Sequence, residues 1–225
     1  MANVLRTVTV CAVCLASLML ARPLAAQPTA DPPSANLPSA NLPSQGTASV
    51  HYLDSQARAA GVAITGPIDK VVAAHGIELI KSLRPSVDDL TVYLDSPGGD
   101  AAAAMELGQE IRNQWVLATV DDDGECLGAC VLLLAAGVRR TPAPDTVGLH
   151  RPSDPKNAAL TKRVQTYLAR MGMPERLFKE MMQHGSDKTL VLDAAKLKTF
   201  GLEGIFPPYE EWTRANAHQR PAQSN

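Results

Sequence analysis

Three short stretches of this chain hold the residue types that could do chemistry. The first is Asp95-Ser96-Pro97-Gly98-Gly99-Asp100, at the end of an apolar run. Two consecutive glycines there let the backbone approach a ligand and turn N–H groups toward it, because neither carries a Cβ. The second is Cys126-Leu127-Gly128-Ala129-Cys130, small residues between two cysteines, followed by an apolar run to Gly137. A spacing of four can be bridged by a disulfide if the segment is a turn or a helix start. Two free thiols buried in an apolar run fit the same pattern equally well. The third stretch, Gly148-Leu149-His150-Arg151-Pro152, carries an imidazole able to exchange a proton near neutral pH. His51, His75, His184 and His218 have no comparable setting. No cysteine or histidine pair joins Cys126 and Cys130 at zinc-ligand spacing, so no metal is expected. The run Asp121-Asp122-Asp123 reads as a solvated turn rather than a cation site. Without a glycine-rich phosphate loop or a paired-carboxylate motif, no cofactor is expected either.

The elements that must position these residues alternate between strand and helix. Apolar runs over 61–65, 90–94, 116–120 and 146–149 read as strands. The spacing predicts a helix over 68–83, with Val72, Gly76, Leu79, Ile80 and Leu83 on one face. A second helix over 101–113 has Asp100 as its N-cap. Residues 126–137 are apolar all round, which predicts a buried helix. Leu160, Val164, Leu168 and Met171 mark one amphipathic helix; Leu177, Phe178, Met181 and Met182 mark another. The last helix runs from Asp193 to Phe200 and stops at Gly201. Strands alternating with crossover helices imply an α/β domain around a mostly parallel sheet.

In this order, the three stretches resemble the Clp-protease/crotonase superfamily over about 63–205. The match is to its Ser-Pro-Gly-Gly element, to the small-residue turn opening a buried helix some thirty residues later, and to the His-x-Pro after the next strand. The chain most resembles a periplasmic Clp-like group with Cys-x-Ser-x-Cys at the nucleophile turn. The resemblance implies a single ClpP/crotonase-like domain built as a β-β-α superhelix. It also implies an oxyanion hole made by the N–H groups of Gly99 and Ala129. His150 takes the position of the general base, and Asp187 that of the carboxylate orienting it, with Asp193 as runner-up. The nucleophile position holds Gly128, and no serine lies between Gly124 and Gly137. A Ser-His hydrolase is therefore not expected. The implied partner is an extended peptide or unfolded protein segment, paired along a strand edge without cleavage, and a homo-oligomer is implied as well. Alternatives are a hydrolase using Cys130 or a water activated by His150, and a crotonase-like acyl-CoA enzyme.

The ends of the chain bear on where it works. Arg6, the apolar run 7–20 and Leu24-Ala25-Ala26 read as an export signal over 1–26, cut before Gln27. The run falls short of the roughly 20 apolar residues of a membrane span, so none is expected after cleavage. The expected compartment is periplasmic or extracellular. Residues 27–47 are rich in Pro, Ser and Ala and repeat Ser-Ala-Asn-Leu-Pro at 34–38 and 39–43, which predicts a flexible linker. The folded domain is expected over 48–213, with a disordered tail at 214–225. Cutting the signal removes Arg6 and Arg22 and leaves 19 basic against 23 acidic residues, a net charge of −4. A mildly acidic chain without a basic block excludes nucleic acid as the main partner.

Overall fold

Leu90, Val92 and Leu94 alternate with Thr91, Tyr93 and Asp95, and this period of two becomes the central strand of the domain. The structure, a computed structural model, describes residues 45–151 and 156–215; the predicted signal, most of the predicted linker and most of the tail lie outside them. Strand β1 (Thr47–Asp54) pairs antiparallel with β2 (Ala59–Thr65), and β2 runs parallel to β3 (Asp89–Asp95). The parallel array continues through β4 (Leu117–Val120) to β6 (Arg139–Pro142), and β9 (Gly204–Ile205) closes it antiparallel. The sheet order is thus β1-β2-β3-β4-β6-β9. A second, three-stranded sheet holds β5 (Cys126–Leu127), β7 (Val147–Leu149) and β8 (Leu190–Val191), in the order β5-β7-β8. A bridge between Ser96 and Cys126 joins the two sheets. The expected α/β class with a mostly parallel sheet is what the chain forms.

Helices cover the apolar face. In α1 (Lys70–Leu83), Val72, Ala73, Gly76 and Ile80 are buried. It starts two residues later than the spacing predicts, because the Asp69 carboxylate accepts the Val71 and Val72 N–H groups and fixes the first turn there. In α2 (Ala101–Asn113), Asp100 caps as expected, accepting from Ala102 at 2.7 Å. The apolar segment 126–137 is not one helix. Its first two residues form β5, and only α3 (Cys130–Ala136) is helical, with every residue buried. Main-chain pairing of Cys126 and Leu127 with Val147 and Gly148 outcompetes helix for those residues. Strand β1 starts at Thr47, one residue before the predicted domain boundary.

A short buried helix leaves carbonyls at its C-terminus that water cannot reach, so the fold must supply donors. Two arginines do so. Arg112 donates to the Ala136 carbonyl at 2.8 Å and to the Ala135 and Met171 carbonyls, with its guanidinium 4.0 Å over the Phe206 ring. Arg140 donates to the Gly137 carbonyl at 2.7 Å and to the Gly201 carbonyl. Burial pushes the Arg140 guanidinium down to about 10, and Arg112 adds to the effect. The far end of α3 is thereby fixed in space, and with it the turn at its start.

Helices α4 (Ala158–Arg170) and α5 (Glu175–Gln183) pack their apolar stripes on this layer, followed by α6 (Ala194–Thr199) and α7 (Pro207–Ala215). Tyr167 of α4 reaches in to donate its hydroxyl to the Leu132 carbonyl at 2.9 Å. Gly108 of α2 makes room for it: a Cβ there would stand 1.9 Å from the Tyr167 hydroxyl oxygen. A helix interior normally gains about 1 kcal/mol from Gly→Ala. Here the overlap should reverse the sign, and Gly108→Ala is expected to cost about 1–3 kcal/mol as an overpacked core. Chemical denaturation measures it, and in a Tyr167→Phe background most of that cost should vanish.

Candidate functional site

The end of β3 builds the first half of the site. Ser96 is fully buried, and its Oγ accepts the Gly98 N–H at 3.1 Å, which tightens the turn. The Ser96 main chain is held on both sides by the neighbouring segment. Its N–H donates to the Glu125 carbonyl at 2.6 Å, and its carbonyl accepts from Leu127 at 3.0 Å. Gly98 and Gly99 then take φ values of 99° and 140°. A Cβ on Gly98 would stand 2.7 Å from the Leu127 carbonyl oxygen and 3.1 Å from the Ala129 nitrogen. One on Gly99 would stand 2.2 Å from the Ile68 carbonyl oxygen. Both positions therefore require glycine, for space as well as for backbone angle.

The second half is the turn from β5 into α3. Gly128 has φ 53°, in the left-handed region, and its N–H donates to the Gly148 carbonyl at 3.0 Å. Glycine adopts this conformation at no steric cost, which lets the chain turn sharply from strand into helix. Cys126 and Cys130 bracket this turn and are joined by a disulfide, with Cα atoms 5.2 Å apart and both residues fully buried. Of the two readings open for these cysteines, the bonded one holds. A bonded, buried Cys130 has no thiolate to offer as a nucleophile.

His150 follows β7 and lies against this turn. A Cβ on Gly128 would stand 2.2 Å from its Cε1 and 2.3 Å from its Nε2, so the imidazole fills the volume that a side chain at 128 would need. Its Nδ1 lies 3.0 Å from the Arg151 carbonyl oxygen. A carbonyl can only accept, so in this hydrogen bond Nδ1 is the donor. The described partner of this ring nitrogen is thus the Arg151 carbonyl, and the contact the sequence expects from Asp187 is not formed. Asp187 is exposed, and among the described residues it makes no hydrogen bond to His150; its Oδ1 folds over Gly185 in its own turn. Asp193 caps α6, accepting from the Lys196 N–H at 2.8 Å and pairing with its Nζ at 2.9 Å. The structure draws Gly99, Gly128, Ala129 and His150 together, and leaves both carboxylates outside that group.

These four line one cleft of about 330 Å³. The N–H groups of Gly99 and Ala129 donate to no described residue. The rest of the lining includes Leu127, Leu132, Val164 and Met181 as apolar walls, and the hydroxyls of Ser186 and Thr189. Sequence reading placed Val164 and Met181 on apolar helix faces but could not say that those faces meet this cleft. The Asp121-Asp122-Asp123 run is exposed at the end of β4, as a solvated turn should be.

Glu125, absent from the sequence candidates, sits where the two halves join. It is 8% exposed, its Oε1 has no hydrogen-bond partner among the described residues, and its N–H donates to the Asp95 carboxylate at 3.1 Å. Burial, and then the charge of Asp95, raise its carboxyl above the usual glutamate range. A carboxyl raised by folding stabilises the fold below its unfolded value of about 4.3 and loses that contribution as pH rises through the folded value. Glu125→Gln is therefore expected to be more stable than the native chain at pH 8. The advantage should shrink toward pH 4 when melting is followed across that range.

No protein-family model and no curated protein sequence matches this chain. Among solved structures, the chain is similar to the ClpP protease catalytic domain from Plasmodium falciparum. The TM-score is 0.52 at 18% identity, and the match covers 66% of this chain and 83% of that one. The domain has a ClpP/crotonase-like fold.

Proposed function

We propose that this is an exported protein of protease-like fold that holds a peptide or unfolded segment in the cleft between Gly99 and His150 without cleaving it through a serine. The observation that carries this reading is the position of the His150 ring. It rests on Gly128 in the volume where a nucleophile would begin, so the site lacks both the attacking atom and the space for one. Knocking out a triad serine leaves only the modest enhancement supplied by binding and the oxyanion hole. Free N–H donors beside apolar walls still suit a peptide main chain and one side chain. Export is supported by the N-terminal pattern and by a buried disulfide, which persists in oxidising compartments. Association with further copies or with an active relative belongs to this reading as well.

A second reading draws on one feature of the site. With Nδ1 donating to the Arg151 carbonyl, Nε2 is the ring nitrogen left to take a proton from a water beside the Gly99 and Ala129 donors. The acyl-CoA reading has less in its favour. No lysine or arginine is among the described residues lining the cleft to meet the phosphates of such a ligand, and CoA esters are cytoplasmic compounds.

Hydrolysis of unfolded casein and of a p-nitrophenyl ester by the purified chain, beside His150→Ala, separates the first two readings. Equal background rates for both proteins are expected. Turnover by the native chain that falls at least tenfold in His150→Ala would overturn the non-catalytic reading and establish the water mechanism.

A further inference from the structure

We infer that the cleft recognises a free carboxylate carried on an apolar residue, foremost the C-terminus of a peptide chain ending in Leu, Met or a similar side chain. The inference rests on the binding reading above and narrows its ligand.

Three features of the cleft lead to it. The first is its electrostatics. The Gly99 and Ala129 N–H groups donate to no described residue, Ser186 and Thr189 also line the cleft, and no aspartate or glutamate is among the described lining residues. Close packing of Gly98 on the Leu127–Ala129 backbone sets the two N–H-bearing segments side by side. Two N–H groups without acceptors and no competing negative charge favour an anion over a neutral carbonyl, since hydrogen bonds to a charged acceptor are roughly twice as strong. The second feature is size. At about 330 Å³ the cleft is at the small end of ligand sites, which run from about 300 to 1,000 Å³. It admits one residue and its terminal group rather than a run of extended chain. The third is the closed side. The imidazole fills the space beside Gly128 at the turn, so a ligand that ends at the donors needs no room on that side. Leu132, Val164 and Met181 complete the site as an apolar wall for the last side chain.

A fluorescein-labelled octapeptide ending in Leu tests this by anisotropy with the full chain. It is compared with the same peptide as a C-terminal amide and with N-acetyl-leucine as competitor, and mass spectrometry checks that the peptide stays intact. The free-acid peptide is expected to bind at least tenfold more tightly than the amide. Equal affinity for acid and amide would overturn the carboxylate inference while leaving peptide binding in place. If neither peptide binds and N-acetyl-leucine alone raises the melting temperature, the carboxylate chemistry holds but the source is a small acid, and the peptide reading fails. No effect from any of the three overturns both. Ala129→Pro removes one donor at a residue whose φ of −65° already suits proline, and it should bring acid and amide to the same affinity. The acid-to-amide ratio of the native chain decides the matter even if that variant does not fold.

Discussion

Everything at the centre of this domain follows from one close approach: the Gly98-Gly99 backbone lies against the backbone of Leu127 to Ala129, with no Cβ between them. A methyl group on Gly98 would stand 2.7 Å from the Leu127 carbonyl oxygen, inside any tolerable contact. That contact lets Ser96 pair with Cys126 and so joins the six-stranded and three-stranded sheets. It also places Gly99 and Ala129 on one cleft. Local devices hold each side in the required form. The Ser96 hydroxyl takes the Gly98 N–H, and the Cys126–Cys130 disulfide restrains the opposing turn. By the chain-entropy argument, so small a loop contributes about 2 kcal/mol, enough to limit fraying where the backbone is in a left-handed conformation.

A turn of this kind stays in place only if the helix behind it does. The seven residues of α3 carry no polar side chain and pack on all sides, so hydrophobic burial would tolerate small slides along the helix axis. The hydrogen bonds from Arg112 and Arg140 to the carbonyls of Ala135, Ala136 and Gly137 remove that freedom. Burying two guanidiniums is costly without partners. Carbonyl acceptors and the Phe206 face offset that cost without any carboxylate, and the two arginines in turn tie α3 to the loops after α4 and α6.

The sequence makes this centre legible because its demands fall on residue types. Pro-Gly-Gly after an alternating strand, an all-apolar segment after Gly128 and a histidine after the next short strand each leave a local signature, and the shared fold with a ClpP catalytic domain agrees with the resemblance read from them. What escapes notice has no such signature. Seven of the eight residues of β1 are exposed, and a bulge at His51 breaks its alternation, so no period of two marks it. Strands β5, β8 and β9 are two residues each and are defined by their partners. Helix α7 opens on Pro207-Pro208, which reads as a stop although proline is tolerated in a first turn. The orienting partner of His150 is a main-chain carbonyl, which no arrangement of side chains could announce, and Asp187 drew attention only because it has the right chemistry at about the right distance along the chain.

The glycine at 128 matters in the structure for the space it leaves to its neighbour. A serine there would need its Cβ in the volume the imidazole now fills, so a histidine serving such a serine would have to stand farther from the turn. Gly128 and the packed ring are therefore one arrangement. The ring closes the space beside the turn, its Nδ1 is held by the Arg151 carbonyl, and the N–H groups of Gly99 and Ala129 donate to no described residue. Main-chain donors beside an apolar wall suit a ligand that brings an acceptor together with an apolar group. The proposed binding role draws on this same arrangement, because the features it needs are the donors, the apolar wall and the ring that closes one side.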